Sequence, residues 1–192
     1  MKKNTGIVLR VSTKHRPHIV IMDDKEGKIT TQMRGDALRV GSLITYSAHR
    51  KNIWWDITSI ELLDMPCALA KHDILFLHHL LELCYYCLPI GSCARDLVSF
   101  FHALYQCDPN FSRITQKSII FKLLVMLGVY PEEMVLYVKR FHNIAQESID
   151  TVSQAILNLG IEQELDQWLK SCIMSHPHAR YFKTLSWYQW IH

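Results

Sequence analysis

Two periodicities divide this chain. Over the first third, short runs rich in β-branched and aromatic residues alternate or run fully apolar, and turn-forming text separates them. Residues 6–13 set Ile7, Leu9 and Val11 against Val8, Arg10 and Ser12. Residues 18–23 are almost wholly apolar. Residues 28–34 carry Ile29, Thr30 and Thr31. Residues 43–50 and 53–63 follow, rich in Ile, Thr, Tyr and Trp. The punctuation is His15-Arg16-Pro17, Asp24-Lys25-Glu26-Gly27, Arg34-Gly35-Asp36 and Arg50-Lys51-Asn52. Five strands in about sixty residues predict a small antiparallel barrel or sandwich.

After Met65-Pro66 the spacing becomes helical. Ile74, Leu77, Leu81, Cys84 and Leu88 fall on one stripe, which Pro89 and Gly91 end. Residues 95–105 predict a second helix and residues 115–127 a third. The third is apolar enough to form a bundle centre, with Phe121 and Leu124 in the core, and Gly128 stops it. Pro131-Glu132-Glu133 has the form of a helix start. Residues 151–159 end at Gly160, and residues 161–174 follow. The expected architecture is α+β with two domains: residues 1–66 as a five-stranded β-barrel, residues 67–192 as an all-α helical bundle.

Composition narrows the class. The chain has 192 residues, 49% hydrophobic and 20% charged, which suffices for a packed core. With 7 Gly and 6 Pro, collagen-like and low-complexity classes are excluded. The most apolar stretch, 74–90, is interrupted by His78, His79 and Glu82, so no membrane helix is expected. The basic start carries only Ile7-Val8-Leu9 as an apolar run, too short for a signal peptide, so a cytoplasmic protein with reduced thiols is expected. The net charge of +3 hides an asymmetry. Residues 1–55 hold eleven Lys and Arg against four acids, +7, whereas residues 56–192 hold ten against fourteen, −4. A basic barrel beside an acidic helical half points to a polyanionic partner for the barrel.

A five-stranded barrel of this size is most simply an oligonucleotide/oligosaccharide-binding (OB) fold, which holds single strands across strands 2–3 and the first and fourth loops. Those loops are expected at residues 23–27 and 48–52. In the last strand Ile53, Trp55 and Ile57 share one face, and Trp54 points to the other with Asp56 and Thr58. An outward Trp54 beside Arg50 and Lys51 would stack a base while the cations hold phosphate; the alternative is that Trp54 packs against the helical domain. Catalytic motifs are missing: there is no G-x-S-x-G, HExxH, GxxxxGK[ST] or GxGxxG, and the carboxylates are scattered. No enzyme activity and no small-molecule substrate are expected. Cys84-x2-Cys87 lies on one predicted helix with no second CxxC, so neither zinc nor another cofactor is expected.

Five segments, in order, resemble the RecO family of recombination mediators. They are GIVLRVSTKHRPHIVIMDD (6–24), KITTQMRGDALRVGSLITYSAHR (28–50), DILFLHHLLELCYYCLP (73–89), SIIFKLLVMLGVYPE (118–132) and LDQWLKSCIMSHPHARYFKTLS (165–186). The fourth is the nearest, a Phe-x-Leu-Leu-x-x-Leu-Gly-Tyr-x-Pro type of helix end with Val129 preceding the tyrosine here. The four-Cys zinc knuckle of many members is absent, since residues 129–161 contain no Cys. The resemblance implies a protein of DNA repair and recombination that binds single-stranded DNA, anneals complementary strands and, with RecR, helps RecA displace single-strand binding protein. It implies DNA contacts by Arg10, Lys14, Arg16, Lys28, Arg34, Arg39, Arg50 and Lys51, stacking by Trp54, and an extension of the path by Arg180 and Lys183. The alternative for the last two is capping or pairing with the acidic bundle. Two other readings remain: an adaptor whose working surface includes Trp187, Tyr188 and Trp190, and a general single-stranded RNA or DNA binder.

Overall fold

A computed structural model describes residues 3–13, 17–32, 38–52, 54–129 and 147–183. Five strands, β1 Asn4–Ser12, β2 His18–Asp23, β3 Gly27–Gln32, β4 Leu43–Lys51 and β5 Trp54–Asp64, close into a barrel in the order β1-β2-β3-β5-β4. All neighbours are antiparallel except β3 and β5, which meet in parallel at Thr31 and Trp55. The expected α+β arrangement, an OB-like barrel followed by helices, is what the chain adopts.

The barrel interior is filled by one residue in two from each strand: Val8, Ile19, Ile21, Ile29, Ile44, Tyr46 and Ile57, with Val11, Ala48 and Trp55 against them. Tyr46 carries the one phenol in this cluster, and its hydroxyl donates to the buried Asp23 carboxylate. Asp23 also accepts from Asn4 Nδ2 at 2.8 Å and from the Lys25 and Glu26 amides, both at 2.8 Å. Burial, reinforced by the Asp23 charge, drives the Tyr46 hydroxyl well above its ordinary range, so it stays protonated as the donor.

One loop assignment changes. Residues 23–27 join β2 to β3, not β1 to β2. The strand before His15-Arg16-Pro17 ends at Ser12, so the first loop of the barrel is residues 13–17, and Lys14, His15 and Arg16 lie outside the described residues. The fourth loop, expected at residues 48–52, is shorter: Ala48 to Lys51 belong to β4 and pair with β5, which leaves Asn52 at the turn.

Six α-helices are described: α1 Cys67–His72, α2 Ile74–Cys87, α3 Arg95–Gln106, α4 Arg113–Met126, α5 Ile149–Leu159 and α6 Glu162–Met174. Side-chain caps start three of them, with Asp73, Ser112 and Ser148 accepting from the amides of Phe76, Thr115 and Thr151. Gly128 and Gly160 adopt left-handed φ of 68° and 64° at the ends of α4 and α5. The helix start at Pro131 and the residues Trp187, Tyr188 and Trp190 lie outside the described residues.

The chain forms two compact units. The first comprises Met1–Leu77 and Leu81–Pro109, the second His78–Leu80 and Asn110–His192. The change of periodicity at Met65-Pro66 thus marks the end of the sheet, while the first unit runs on through α3. Within it, Tyr105 donates to the Gly41 carbonyl at 2.8 Å, and Gln106 Nε2 to Asp64 Oδ2 at 2.6 Å. The Asp24–Gly27 turn docks on the segment after α2: Gly91 N–H donates to the Glu26 carbonyl at 3.1 Å, and Gly27 bridges to Ile90. In the second unit, α4 packs on α5 and α6, with Phe121 edge-on to Trp168 at 5.2 Å between ring centroids. Phe121 and Leu124 are buried there, as expected. No described helix is long and apolar enough to cross a membrane.

His79 is fully buried on α2, and burial alone pushes its imidazole down from 6.5 to about 3. Between those values the unfolded chain binds a proton that the folded chain excludes, so stability rises with pH through that window and is lost on acidification. At pH 5 this one site is expected to cost about 2 kcal/mol relative to neutral pH. Urea titrations at pH 7 and pH 5 check it: the difference should shrink in His79→Gln, and an unchanged difference would reject the assignment.

Candidate nucleic-acid interface

The strand registers place the predicted residues more sharply than the sequence does. Side chains alternate, so positions out of phase with the core point outward. On β1 and β2, Arg10 pairs with Val20 and Ser12 with His18. On β2 and β3, Val20 pairs with Thr30 and His18 with Gln32. The parallel bridge Thr31–Trp55 sets Trp54 alongside Thr30 and Asp56 alongside Gln32. On β5 and β4, Trp54 pairs with Lys51 and Asp56 with His49. Two outward rows therefore cross all five strands. The first is Arg10, Val20, Thr30, Trp54, Lys51. The second is Ser12, His18, Gln32, Asp56, His49. Along the surface each row covers four strand spacings, about 19 Å, as it winds around the closed barrel.

The rows are not uniformly open. Val20 is buried, as are Ile7, Leu9 and Met22 on the same outer face. Helix α3 packs against β1 and β2. The second row stays accessible, with Ser12 and His18 half-buried and Gln32 exposed. Trp54, on the first row, is 40% exposed. Part of its ring is therefore open to solvent. Trp55 instead lies against the barrel core. The alternation expected for Trp54 and Trp55 is observed.

The cations fare differently. Lys51 is exposed and pairs with Asp56 at 2.9 Å, which tethers it at the row's end. Such a surface pair contributes little to stability. Arg50 follows the phase of the core positions, opposite Trp55, and emerges by the turn with Nε donating to the Asn52 carbonyl at 3.3 Å. Arg50 and Lys51 thus leave β4 on different faces. Arg10 donates from Nη1 to Tyr85 Oη at 2.8 Å, with its guanidinium 5.3 Å from the ring centroid. Lys28 donates to the Tyr85 carbonyl at 2.8 Å and stands 5.6 Å from the same centroid. That carbonyl belongs to the last turn of α2, where a cation is favoured by the helix dipole. Burial lowers the Lys28 ammonium from its ordinary value, and Cys87 opposes the shift.

Arg39 is not brought to the rows. It precedes β4, with its carbonyl accepting from Ser42 N–H, at the opposite end of a nine-residue strand from Lys51. Arg180 lies in the second unit, stacked on its neighbour: Nη2 donates to Tyr181 Oη at 2.7 Å, with the guanidinium 4.7 Å from the ring centroid. Lys183, in the same unit, is exposed. Lys14, Arg16 and Arg34 lie outside the described residues.

The cysteines are all free, with Cys67, Cys93 and Cys107 exposed and Cys84, Cys87 and Cys172 buried. Burial raises the Cys84 and Cys87 thiols, the latter to about 12, so both stay protonated. Among the described residues no three His, Cys, Asp or Glu side chains gather as metal ligands.

Sequence reasoning missed Tyr85. It sits in largely apolar helical text, and the signal was a pair of phenols, Tyr85 and Tyr86, at the end of a helix rich in Leu. Comparison of the chain with protein-family models and with curated proteins finds no match.

Proposed function

We propose that this chain is a non-catalytic single-strand nucleic-acid-binding protein that works as a recombination mediator of the RecO type. The observation that carries the reading is the outward row on an OB-like barrel that ends in Arg10 on β1 and in Trp54 and Lys51 at the β5–β4 end. Cations at both ends neutralise phosphate, and an exposed indole stacks a base without reading its identity. Annealing needs no bond chemistry. Two strands repel, and a cationic face that holds one while the other approaches lowers that barrier. The five ordered segments that resemble RecO support single-stranded DNA as the ligand, with RecR, RecA and single-strand binding protein as partners. The expected place of action is the cytoplasm, at the nucleoid.

Fluorescence anisotropy with labelled oligo-dT tests this. Affinity should fall steeply with salt, and Lys51→Gln should flatten the log–log salt slope by about one. Trp54→Ala should weaken binding about tenfold, the equivalent of one lost stacking contact. Salt-independent binding, or indifference to both substitutions, would remove the row from consideration. A strand-annealing assay with single-strand binding protein present then separates a mediator from a passive binder.

A second reading has its own observation. Ile60, Leu62 and Leu63 on β5 are exposed, the last two by more than half (55% and 53%). A run of exposed aliphatic residues on a strand suits protein docking, as an adaptor would require. Capture of RecR by a chain with no measurable affinity for oligo-dT would favour it.

A further inference from the structure

Arg10 and Lys28 stand out on the barrel surface because their partners are neutral. Arg10 donates to the Tyr85 hydroxyl and Lys28 to the Tyr85 carbonyl, both at 2.8 Å, and both cations lie within 5.6 Å of the one ring centroid. Among the described residues neither pairs with a carboxylate, whereas Lys3, Lys51 and Lys117 each do. The ionisable group nearest in effect to Lys28 is Cys87, whose buried thiol is uncharged.

The hydrogen-bond directions add a third donor. Tyr85 Oη accepts from Arg10, so the phenol's own proton is left to donate elsewhere. Arg10 keeps further N–H groups beyond the one used, and it is exposed. Arg10 and the Tyr85 hydroxyl stand side by side with no anion between them, a pair suited to an oxyanion, and Lys28 at the Tyr85 carbonyl adds a second positive charge to the same residue's surroundings. A guanidinium and a phenol that share a hydrogen bond can each reach a different oxygen of one tetrahedral group.

We propose that Arg10 and Tyr85 form a phosphate clip on the outer face of the barrel, with Lys28 adding positive charge beside it. The ligand class is a phosphate oxyanion, and its source is a backbone phosphodiester of the strand that crosses toward Trp54. The choice of source rests on the nucleic-acid reading given above; the anion chemistry does not. Arg10 opens the row that ends at Trp54 and Lys51, and three strand spacings, about 14 Å along the barrel surface, lie on that row between the clip on β1 and the indole on β5. One end of the path grips phosphate and the other stacks a base.

The test uses the full chain, with Tyr85→Phe and Arg10→Gln as variants. Tyr85→Phe keeps the ring and both cation contacts and removes only the hydroxyl. Lys28 is left intact because it also caps α2. Binding is read with oligo-dT by anisotropy and with inorganic phosphate by thermal shift, against chloride at matched ionic strength. Each variant should weaken oligo-dT about tenfold, and the double variant should lose less than the product, since the two groups act on one phosphate. Trp54→Ala should still weaken both variants further. If oligo-dT binding depends on Trp54 and Lys51 but neither variant changes it, the clip is overturned and the nucleic-acid reading stands. If oligo-dT does not bind while phosphate raises the melting temperature of the parent and not of the variants, the anion site stands and the nucleic-acid source falls. If neither ligand responds to the variants or to Trp54→Ala, both are overturned.

Discussion

A Lys117→Met variant is expected to lose about 3 kcal/mol of stability, the lower end of what removing one partner from a buried ion pair costs. Lys117 lies on α4 with its side chain 2% exposed, and its ammonium is held by two acids of α6. Nζ donates to Glu162 Oε1 at 2.7 Å and to Asp166 Oδ2 at 2.8 Å, and lies 2.8 Å from Asp166 Oδ1 as well. Methionine would fill the volume but leave Asp166, whose side chain is only 15% exposed, facing an apolar wall with its charge uncompensated. Glu162 is 46% exposed and can turn to water, which is why the upper end of the range is not expected. The double variant Lys117→Met, Asp166→Leu should recover most of the loss, because removing both charges also removes the unmet desolvation. Urea melts of the three proteins decide it. A single variant as stable as the parent would mean that the ammonium contributes nothing net.

Gly27→Val is expected to be comparably damaging, at about 3 kcal/mol or more, for a different reason. Gly27 has φ +69°, where a β-branched residue is strained. A Cβ there would stand 2.3 Å from the Ser92 carbonyl oxygen, 2.9 Å from the Ser92 nitrogen and 3.0 Å from the Pro89 carbonyl oxygen. All three are backbone atoms and cannot swing aside. The turn would have to lift off the segment after α2, breaking the Gly91-to-Glu26 hydrogen bond and the bridge to Ile90. Gly27→Ala should already show most of the loss, since the clash begins at Cβ. Gly91→Ala is the control: its φ is also positive, but its Cβ would meet nothing within 4 Å. Thermal melts in which the alanine variants at 27 and 91 behave alike would refute the docking argument.

Much of the fold was legible because burial leaves a periodic record. β2 matched its apolar run, and Trp54 and Trp55 took opposite faces because alternation is a property of the strand itself. The ends of α4 and α5 were marked by Gly128 and Gly160, whose left-handed backbone is local chemistry. Three things were not legible. The sequence text places the first loop of the barrel one hairpin too late, because the Asp24–Gly27 turn signal is the stronger one and says nothing of its place around a barrel. The cover on Ile7, Leu9 and Met22 depends on which helices return to the sheet, which no short-range pattern records. Nor does charge alone tell a cation that faces water, such as Lys51, from one that caps a helix, such as Lys28. That distinction lives in a contact across 57 residues of chain.

Two pairings close the barrel between strands distant in sequence, β3 with β5 and β1 with β4. The hairpins β1–β2, β2–β3 and β4–β5 join neighbours along the chain and can form early. The two distant pairings cannot, because each has to wait for a long loop to close. Until then the folding polypeptide presents two unpaired strand borders, each a template for another molecule in the same condition. Yield on refolding this protein is therefore expected to fall as its concentration during that interval rises.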